Sequence, residues 1–428
     1  MNVLQSLQAV QARCGCLPRE EVRRAAAEAG VSEAVAVGAA EFYSYFSFTK
    51  GDTGEHIENY YPVRRRGLLL GGGAYDRKKI FSMSAAEVIN ELRLSGLAGR
   101  SSGFPAGDKW ELTAAQSGEK YVICNADEGE LFTGKDRAIL ECNPRAVIDG
   151  IALCAQTVGA GKAFIYLRAE YGDLKEKLLA AIAEAGCSGK IEVRMGMGSY
   201  VCGEETALIA SIEGARGETR LKPPFPGVSG LYGRPTVVSN VETLAWTPYI
   251  MDLGAGWFRS AGSADCCGPR IYTVTGCVKA AGVYEMDGAV TLQDLLECTG
   301  GAADEIAAVQ TGGGSGAIER PRLSAGANSA GCGSVRFISR GENMVGYVIN
   351  LIDFFAAESC GVCVPCRIGL QRVRSALSAV QSKTAEAEDI ERLTELCRYI
   401  ARNSRCTLGR AAVTPVLSLL QNFSEAVQ

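Results

Sequence analysis

The sequence predicts an α/β fold, followed by a small β-rich α+β module and a helical C-terminal segment. Between residues 121 and 212, short apolar runs alternate with stretches of helical periodicity, which is the pattern of α/β structure. Residues 270–285 hold two strand-like runs that indicate a hairpin, and helical periodicity returns from residue 339. Because 428 residues are too many for one hydrophobic core, we expect about two to four domains.

The first 48 residues have the spacing of short helices. Apolar residues of the first helix recur one turn apart, Pro18 opens a second helix, and Ser32 is a candidate N-cap of a third. The stretch after residue 59 contains three consecutive arginines and is interpreted as a linker. A helix is expected from Ser84 to Ser95, because Ser84 and Glu87 fit a capping box and Gly96 follows the last turn.

The remaining elements follow from periodicity and from turn residues between them. We expect strands at 121–124, 163–167, 191–193, 270–276 and 282–285, and helices at 144–158, 173–184, 206–212 and 292–298.

Composition excludes several classes of protein. A formal net charge of −4 provides no electrostatic footprint for nucleic acid. The single histidine, His56, excludes a Ser-His-Asp triad, a histidine-based zinc hydrolase and a histidine haem-ligand pair. No stretch has the pattern of a signal peptide or of a membrane span, so we expect a cytoplasmic protein without direct membrane insertion.

Four cysteines near the C-terminus carry the strongest chemical signal. Cys360, Cys363 and Cys366 occupy two overlapping C-x-x-C steps, and Cys406 follows some forty residues later. Four thiolates are the usual ligands of a [4Fe–4S] cluster, and we favour that interpretation. A structural zinc site normally pairs two separated C-x-x-C knuckles and is the weaker alternative. Buried inert thiols hardly explain three cysteines in seven residues.

Three loops have residues suited to a nucleotide or a flavin. Residues 99–110 combine glycines with Phe104, Lys109 and Trp110, which can approach a phosphate or a flat ring. Residues 125–130 are polar and acidic and follow a predicted strand, where open α/β sheets place ligands. Residues 196–206 form a glycine-rich turn into a helix, although the spacing is not G-x-G-x-x-G. Taken singly, each loop is also explained by a solvated turn or a helix cap.

Together these segments resemble the NADH-oxidising flavoprotein subunit of respiratory complex I and the corresponding subunits of NAD-dependent hydrogenases and formate dehydrogenases. The resemblance runs from about residue 65 to the C-terminus. Five blocks in the right order carry it: 125–130 with 135–137, 198–206, 221–226, 240–243, and 358–366 with Cys406.

The resemblance implies a Rossmann-like FMN-binding domain at 59–265, a ubiquitin-like β-grasp module at 266–338 and a helical bundle at 339–428 that binds [4Fe–4S] through the four cysteines. FMN would be contacted by Asn125, Asp127, Tyr200, Gly203, Glu204 and Asn240. Glu205 would hold the nicotinamide amide, Phe104 and Phe225 would flank the adenine, and Lys109 would approach NADH. Gly99, Arg100, Gly103, Glu128 and Thr243 complete the candidate cofactor-binding set, and no side chain is expected to be catalytic because hydride transfer belongs to the flavin.

The chain departs from the family pattern in three places. Ser101 and Ser102 stand in a first loop that is one residue shorter than Gly-Arg-Gly-Gly-Ala-Gly-Phe-Pro. Leu131 and Phe132 replace Pro-Gly after the acidic turn, and Ser239 replaces a first asparagine. The altered first loop is the main support for an alternative function, a non-catalytic electron-wire or assembly subunit that keeps the cluster without using nucleotide.

The resemblance also implies partners. A [2Fe–2S] thioredoxin-like subunit and further iron–sulfur subunits would receive electrons from the cluster, and an electron-bifurcating complex with a ferredoxin branch is left open. Residues 1–58 resemble the helical start of that [2Fe–2S] subunit, and the resemblance is carried by Leu17-Pro18 and by residues 40–47. We expect these helices to pack on the flavoprotein core or on the partner, the alternative being a small self-contained bundle.

Overall fold

The computed structural model describes residues 2–49, 60–100, 103–262, 266–286, 288–327 and 331–426. The helices are α1 (Val3–Cys14), α2 (Arg19–Glu28), α3 (Glu33–Phe42), α4 (Arg77–Ser82), α5 (Ala85–Ser95), α6 (Ala106–Ala114), α7 (Lys135–Cys142), α8 (Pro144–Val158), α9 (Lys175–Glu184), α10 (Glu205–Ile212), α11 (Val241–Leu253), α12 (Ala255–Ser260), α13 (Leu292–Cys298), α14 (Met344–Ala357), α15 (Val364–Arg367), α16 (Gly369–Gln381), α17 (Ala387–Asn403), α18 (Thr407–Ala411) and α19 (Thr414–Asn422). The strands are β1 (Val63–Arg65), β2 (Tyr121–Ala126), β3 (Lys162–Leu167), β4 (Ile191–Met195), β5 (Thr236–Asn240), β6 (Arg270–Gly276), β7 (Gly282–Met286), β8 (Ile306–Thr311), β9 (Ala317–Glu319) and β10 (Ser334–Ser339).

A parallel sheet of order β4-β3-β2-β5 lies at the centre of the first domain. Its central strands are apolar and buried on both faces, as parallel strands usually are. On one face, Val122 and Cys124 of β2 join a core with the helices α8 and α11. Tyr121 and Ile123 of β2 belong to a second core.

The N-terminal helices fill that second core. Leu4 and Leu7 of α1 are fully buried in it, together with Ile123 of β2 and with Phe164 and Tyr166 of β3. The expectation that these helices pack on the core of the chain is confirmed, and the alternative of a self-contained bundle is wrong. Ser32 caps α3 as predicted, with its hydroxyl accepting from the Val35 backbone N–H.

A six-stranded mixed sheet of order β1-β7-β6-β10-β8-β9 forms the second module. Strands β6 and β7 make the predicted antiparallel hairpin, whereas β10 returns parallel to β6. The interpretation of residues 60–66 as a linker is wrong, because Val63–Arg65 adds a parallel edge strand beside β7. The backbone N–H of Val283 donates to the Pro62 carbonyl (2.9 Å) and fixes this strand.

Helices α14 to α19 form the C-terminal segment around a third apolar core. Helix α14 packs mainly on α16, and α19 packs beside β9 of the mixed sheet. Within the ranges that the structure describes, no helix is long and apolar enough to cross a membrane.

Candidate flavin and cluster site

The carboxyl ends of β2 and β5, with the loop after β4, open into a cavity of about 740 Å³. Parallel strands bring their carboxyl ends to one edge of the sheet, which is where α/β folds bind ligands, and this volume suits a cofactor. Asn125 of β2 and Asn240 of β5 are direct neighbours in register. Apart from Arg100 and Gly103, every predicted cofactor-binding residue lines the cavity: Gly99, Phe104, Lys109, Asn125, Asp127, Glu128, Tyr200, Gly203, Glu204, Glu205, Phe225, Asn240 and Thr243.

Arg100 lies behind the cavity wall. Its buried guanidinium donates to the carbonyls of Cys267 (2.8 Å) and Pro269 (3.0 Å) and lies 3.8 Å from the Glu242 carboxylate. Its backbone N–H donates to the Thr243 hydroxyl (2.9 Å). In this structure Arg100 therefore ties the first loop to the start of the β-rich module.

Gly103 follows Ser101 and Ser102, which lie outside the described residues. It adopts a left-handed φ of 70°, a conformation that glycine reaches without strain. Its role in the first loop is therefore to turn the backbone, and it does not line the cavity wall.

Two neighbouring carboxyl groups of the cavity wall, those of Asp127 and Glu128, have raised pKa values. Burial raises the pKa of Asp127 to about 8, although the Arg168 guanidinium partly opposes it. Among the described residues, Oδ2 of Asp127 has no hydrogen-bond partner. A buried, unpartnered oxygen on a cavity wall is what a donor group of a ligand would satisfy. Burial also raises the pKa of Glu128, whose carboxylate accepts from the backbone N–H of Asp136 (3.1 Å) and from the Tyr171 hydroxyl (3.0 Å).

The FMN-free protein should therefore lose stability as the pH rises from about 4 to about 8. Over that range the folded state keeps a proton on Asp127 that the unfolded chain has released, so unfolding becomes more favourable as pH increases. Asp127→Asn cannot titrate, and we expect a smaller difference in melting temperature between about pH 5 and about pH 8. The exposed Asp353→Asn is the control, and an unchanged pH dependence in Asp127→Asn would contradict this assignment.

A buried charge network holds Asn240 at the end of β5. The Lys135 ammonium donates to Asp136 (2.6 Å) and to Oδ1 of Asn240 (2.9 Å), and it lies 3.3 Å from the Glu242 carboxylate. Nδ2 of Asn240 donates in turn to Asp136 (2.6 Å). Oδ1 of Asn240 also accepts from the Glu242 backbone N–H and caps α11. The amide orientation of Asn240 is thus fixed before any ligand arrives.

Tyr200 connects the cavity to the six-stranded mixed sheet and to the C-terminal helices. Its hydroxyl donates to Glu130 (2.8 Å), and Glu130 also accepts from the hydroxyl of Ser315 in the β8–β9 turn (2.7 Å). The backbone N–H of Tyr200 donates to the Glu358 carboxylate (2.8 Å) at the end of α14. The Tyr200 ring packs edge-on against Phe354 at a centroid distance of 5.6 Å.

Charged and aromatic side chains surround the mouth of the cavity. Lys222 donates to Glu204 and to Glu205 (2.9 Å each), and Lys109 lies 3.6 Å from Glu205. Glu204 also caps α10 by accepting from backbone N–H groups of its first turn. The rings of Phe104 and Phe225 are about half exposed, at 49% and 52%.

Several residues of the cavity wall had no predicted role. Glu130, Lys135 and Asp136 lie within motifs that carried the resemblance, so their position in the sequence was a usable signal. The β-rich module contributes Gly312, Ser315, Gly331 and Cys332 to the cavity wall. The spacing of these residues in the sequence gave no indication that they would lie at the cavity.

Phe132, where the family has a glycine, keeps a glycine-like backbone. It adopts a left-handed φ of 65°, which costs a side-chain-bearing residue about 1 kcal/mol or more. Its ring stacks on Tyr347 at a centroid distance of 6.3 Å, and the Arg336 guanidinium lies 4.6 Å from its centroid. These contacts offset the strain and explain why the larger residue is tolerated.

The four predicted cluster cysteines lie together in the C-terminal core. Cys360 and Cys366 are buried, and Cys363 and Cys406 pack at the edge of the same core. Burial, and to a smaller degree the three other thiols, raise the pKa of Cys366 to about 12. Among the described side chains, no three potential ligands converge on a point as they do around a single metal ion. Four cysteine thiols in one core are the type of ligand set that a [4Fe–4S] cluster uses.

The cluster site and the cavity share a wall. Thr407 and Leu408, which directly follow Cys406, line the cavity. Gly409 approaches Cys366 so closely that an added Cβ would lie 3.0 Å from its Cβ. The helix that begins after Cys406 is therefore packed between the flavin-sized space and the thiols.

Comparison with known proteins identifies the family. Residues 89–248 match the Nuo51 FMN-binding domain, and residues 346–428 match the NADH-ubiquinone oxidoreductase-F iron-sulfur binding region. A subunit of an NADH-quinone oxidoreductase of Rhizobium meliloti is 37% identical over 82% of this chain and 91% of its own length. The alpha subunit of the NAD-reducing hydrogenase HoxS of Cupriavidus necator is 37% identical over 86% of this chain and 65% of its own length.

The fold is likewise similar to solved structures. A chain of the NAD⁺-reducing [NiFe]-hydrogenase in the air-oxidized state superposes with a TM-score of 0.81 at 35% identity, over 86% of this chain and 67% of that chain. A chain of such a hydrogenase in the H₂-reduced state superposes with a TM-score of 0.88 at 27% identity, over 98% of this chain and 92% of that chain. The protein therefore belongs to the family of NADH dehydrogenase-type flavoproteins that includes these NADH-quinone oxidoreductase and NAD-reducing hydrogenase subunits.

Proposed function

We propose that the chain passes electrons from NADH, bound at the mouth of the cavity, through FMN in its interior to a [4Fe–4S] cluster on Cys360, Cys363, Cys366 and Cys406. The observation that carries this proposal is the wall shared by cavity and cluster, built from Thr407 and Leu408 next to Cys406. Electron transfer between two centres needs such proximity, and the cavity supplies the space for the first of them.

We assign the interior of the cavity to FMN. Asn125 and Asn240 are held rigidly, the first by donating its Nδ2 to the Gly203 carbonyl (2.8 Å), the second by Lys135 and Asp136. Asp127 keeps an unpartnered oxygen for a donor group of the ligand. Gly203 lies so close to the Asp127 carbonyl that an added Cβ would meet it at 3.1 Å, which explains a glycine in this wall. When bound, FMN would accept a hydride from NADH and release electrons singly.

We assign the mouth of the cavity to NADH. Phe104 and Phe225 offer exposed rings for the adenine, and Lys109 lies beside Glu205, where a negatively charged nucleotide would enter. The Glu205 carboxylate, oriented by Lys222 and Lys109, would accept a hydrogen bond from the nicotinamide amide. These residues bind and orient the substrate rather than exchange protons with it.

Glu205→Ala should slow flavin reduction by NADH, because misplacing the reacting atoms by about 1 Å can cost about 100-fold in rate. The same change should leave FMN content close to that of the wild type, since Glu205 lies at the mouth. Stopped-flow reduction of the flavin by NADH measures the effect. The control is Glu192→Ala, which removes a carboxylate on β4 that pairs with Lys162 and Arg194 outside the cavity. Wild-type rates in Glu205→Ala would refute the proposed role.

The domain division at residues 58, 265 and 338 remains part of the proposal. The order β7-β6-β10-β8-β9, with β6 and β10 parallel at its centre and α13 between the two hairpins, supports a ubiquitin-like β-grasp module. Helices α14 to α19 around one core support a cluster-binding bundle. Because strand β1 pairs with β7, residues 63–65 belong structurally to the β-rich module.

We place the chain in a multi-subunit complex, as the names of its relatives indicate for them. The specific partners proposed are a [2Fe–2S] thioredoxin-like subunit and further iron–sulfur subunits, and a ferredoxin branch would make the complex electron-bifurcating. The alternative of an electron-wire subunit depended on Ser101 and Ser102, which the described part of the chain does not include.

A further inference from the structure

The N-terminal segment 42–45 runs along the glycine-rich loop of the cavity. The backbone N–H groups of Ser44 and Tyr45 donate to the carbonyls of Gly198 (3.1 Å) and Met197 (3.0 Å). The Ser44 hydroxyl donates to the same Gly198 carbonyl (2.9 Å). A Cβ added to Gly198 would lie 2.3 Å from that hydroxyl, so the glycine leaves the space that the Ser44 side chain occupies. We call residues 42–45 the clamp segment.

The clamp segment also touches the cluster loop through one arginine. The Arg216 guanidinium lies 4.6 Å from the centroid of the Phe42 ring, which is cation–π distance. The same guanidinium donates to the backbone carbonyl of Cys360 (3.1 Å), a proposed cluster ligand. The Glu218 carboxylate lies 3.5 Å from Nε of the same guanidinium. Phe42 therefore holds a positive charge against the first cysteine of the cluster loop.

We propose that the clamp segment and Arg216 are positioning residues for both cofactors: Ser44 sets the glycine-rich loop on which Tyr200, Gly203 and Glu204 face FMN, and Arg216 sets the loop and the potential of the cluster. The proposal rests on the function assigned above. A hydrogen bond and a positive charge near an iron–sulfur cluster stabilise its reduced form, since reduction makes the cluster more negative.

The variant Ser44→Pro tests the contact with the glycine-rich loop, because it removes both the N–H and the hydroxyl that donate to the Gly198 carbonyl. Tyr43 is extended (φ −101°, ψ 125°), so it accepts a following proline. We expect the dissociation constant for FMN, measured by flavin fluorescence on FMN-free protein, to rise about tenfold. Ser44→Ala loses only the hydroxyl bond and should show a smaller increase. Wild-type FMN affinity in Ser44→Pro would overturn the proposal.

The cluster arm measures the midpoint potential by EPR-monitored titration. Arg216→Met removes the donor and the charge and should shift the potential to a more negative value. Glu218→Gln keeps the bond to Cys360, removes a neighbouring negative charge, and should shift the potential slightly the other way. General destabilisation of the protein would not shift the midpoint potential in opposite directions in two variants of one ion pair. If Arg216→Met fails to fold, Arg216→Lys keeps the charge without the planar fork and should shift the potential in the negative direction by a smaller amount.

The cofactor content of the wild type separates a wrong positioning role from a wrong function. A wild type that holds FMN and the cluster, together with wild-type potentials in Arg216→Met and Arg216→Lys, would overturn the positioning role alone. A wild type without flavin or iron would overturn the proposed function and this inference with it.

Discussion

Removal of residues 2–49 should unfold the flavin domain rather than detach a separable module. Helices α1 to α3 cover one face of the parallel sheet, and Leu7 is fully buried there with Ile123 and Phe164. Without them the chain would expose a contiguous apolar sheet face in water, a surface that soluble proteins rarely tolerate. We expect loss of cooperative thermal unfolding and of FMN content, measured by calorimetry and by flavin absorbance.

Single substitutions test the packing of these helices on a smaller scale. Leu7→Ala should destabilise the protein by about 2–5 kcal/mol, as large-to-small changes in a tight core do. The control is Val35→Ala on α3, whose side chain is exposed and should have little effect. A truncated protein that retains FMN and the wild-type melting temperature would show that the helices are dispensable.

Cys363→Ser should remove most of the [4Fe–4S] cluster, because a soft thiolate ligand is replaced by a hard hydroxyl. FMN should largely persist, since its proposed site lies among the ends of the parallel strands. Iron content and low-temperature EPR of the reduced protein measure the loss. Cys397→Ala changes a buried cysteine in the same helical segment that is not a predicted ligand and is the control. Full iron content in Cys363→Ser would contradict the ligand assignment.

Elements with local signals could be predicted from the sequence. The capping box of Ser84 and Glu87, the αL glycine Gly96 and the hairpin strand Arg270–Gly276 all appear where the sequence placed them. Strand β1 could not be predicted, because three residues carry no periodicity and its partner Val283 lies more than two hundred residues away. Its pairing is decided by tertiary structure alone.

The residues of the cavity also divide into those that a local sequence signal predicts and those that only tertiary packing brings there. Asn125 and Asp127 lie at or just after the end of strand β2, which the sequence predicts, so their place at the edge of the sheet was predictable. Strand β5 was not predicted, and Asn240 was assigned to the site through the resemblance alone. Ser315 and Cys332 reach the cavity only because the β-rich module docks against it. Arg100 lies in the first loop, but its buried partners come from the distant segment 267–269 and direct its side chain away from the cavity.

We expect one chain to hold a flavin that NADH reduces next to a [4Fe–4S] cluster. The most direct measurement is an anaerobic titration of the purified protein with NADH, followed by visible absorbance and EPR, together with flavin, iron and zinc analysis. We predict one FMN and one cluster per chain, bleaching of the flavin by NADH, and a reduced-cluster EPR signal. Zinc in place of iron, or a flavin that dithionite reduces and NADH does not, would show that the chain does not pass electrons from NADH to a [4Fe–4S] cluster.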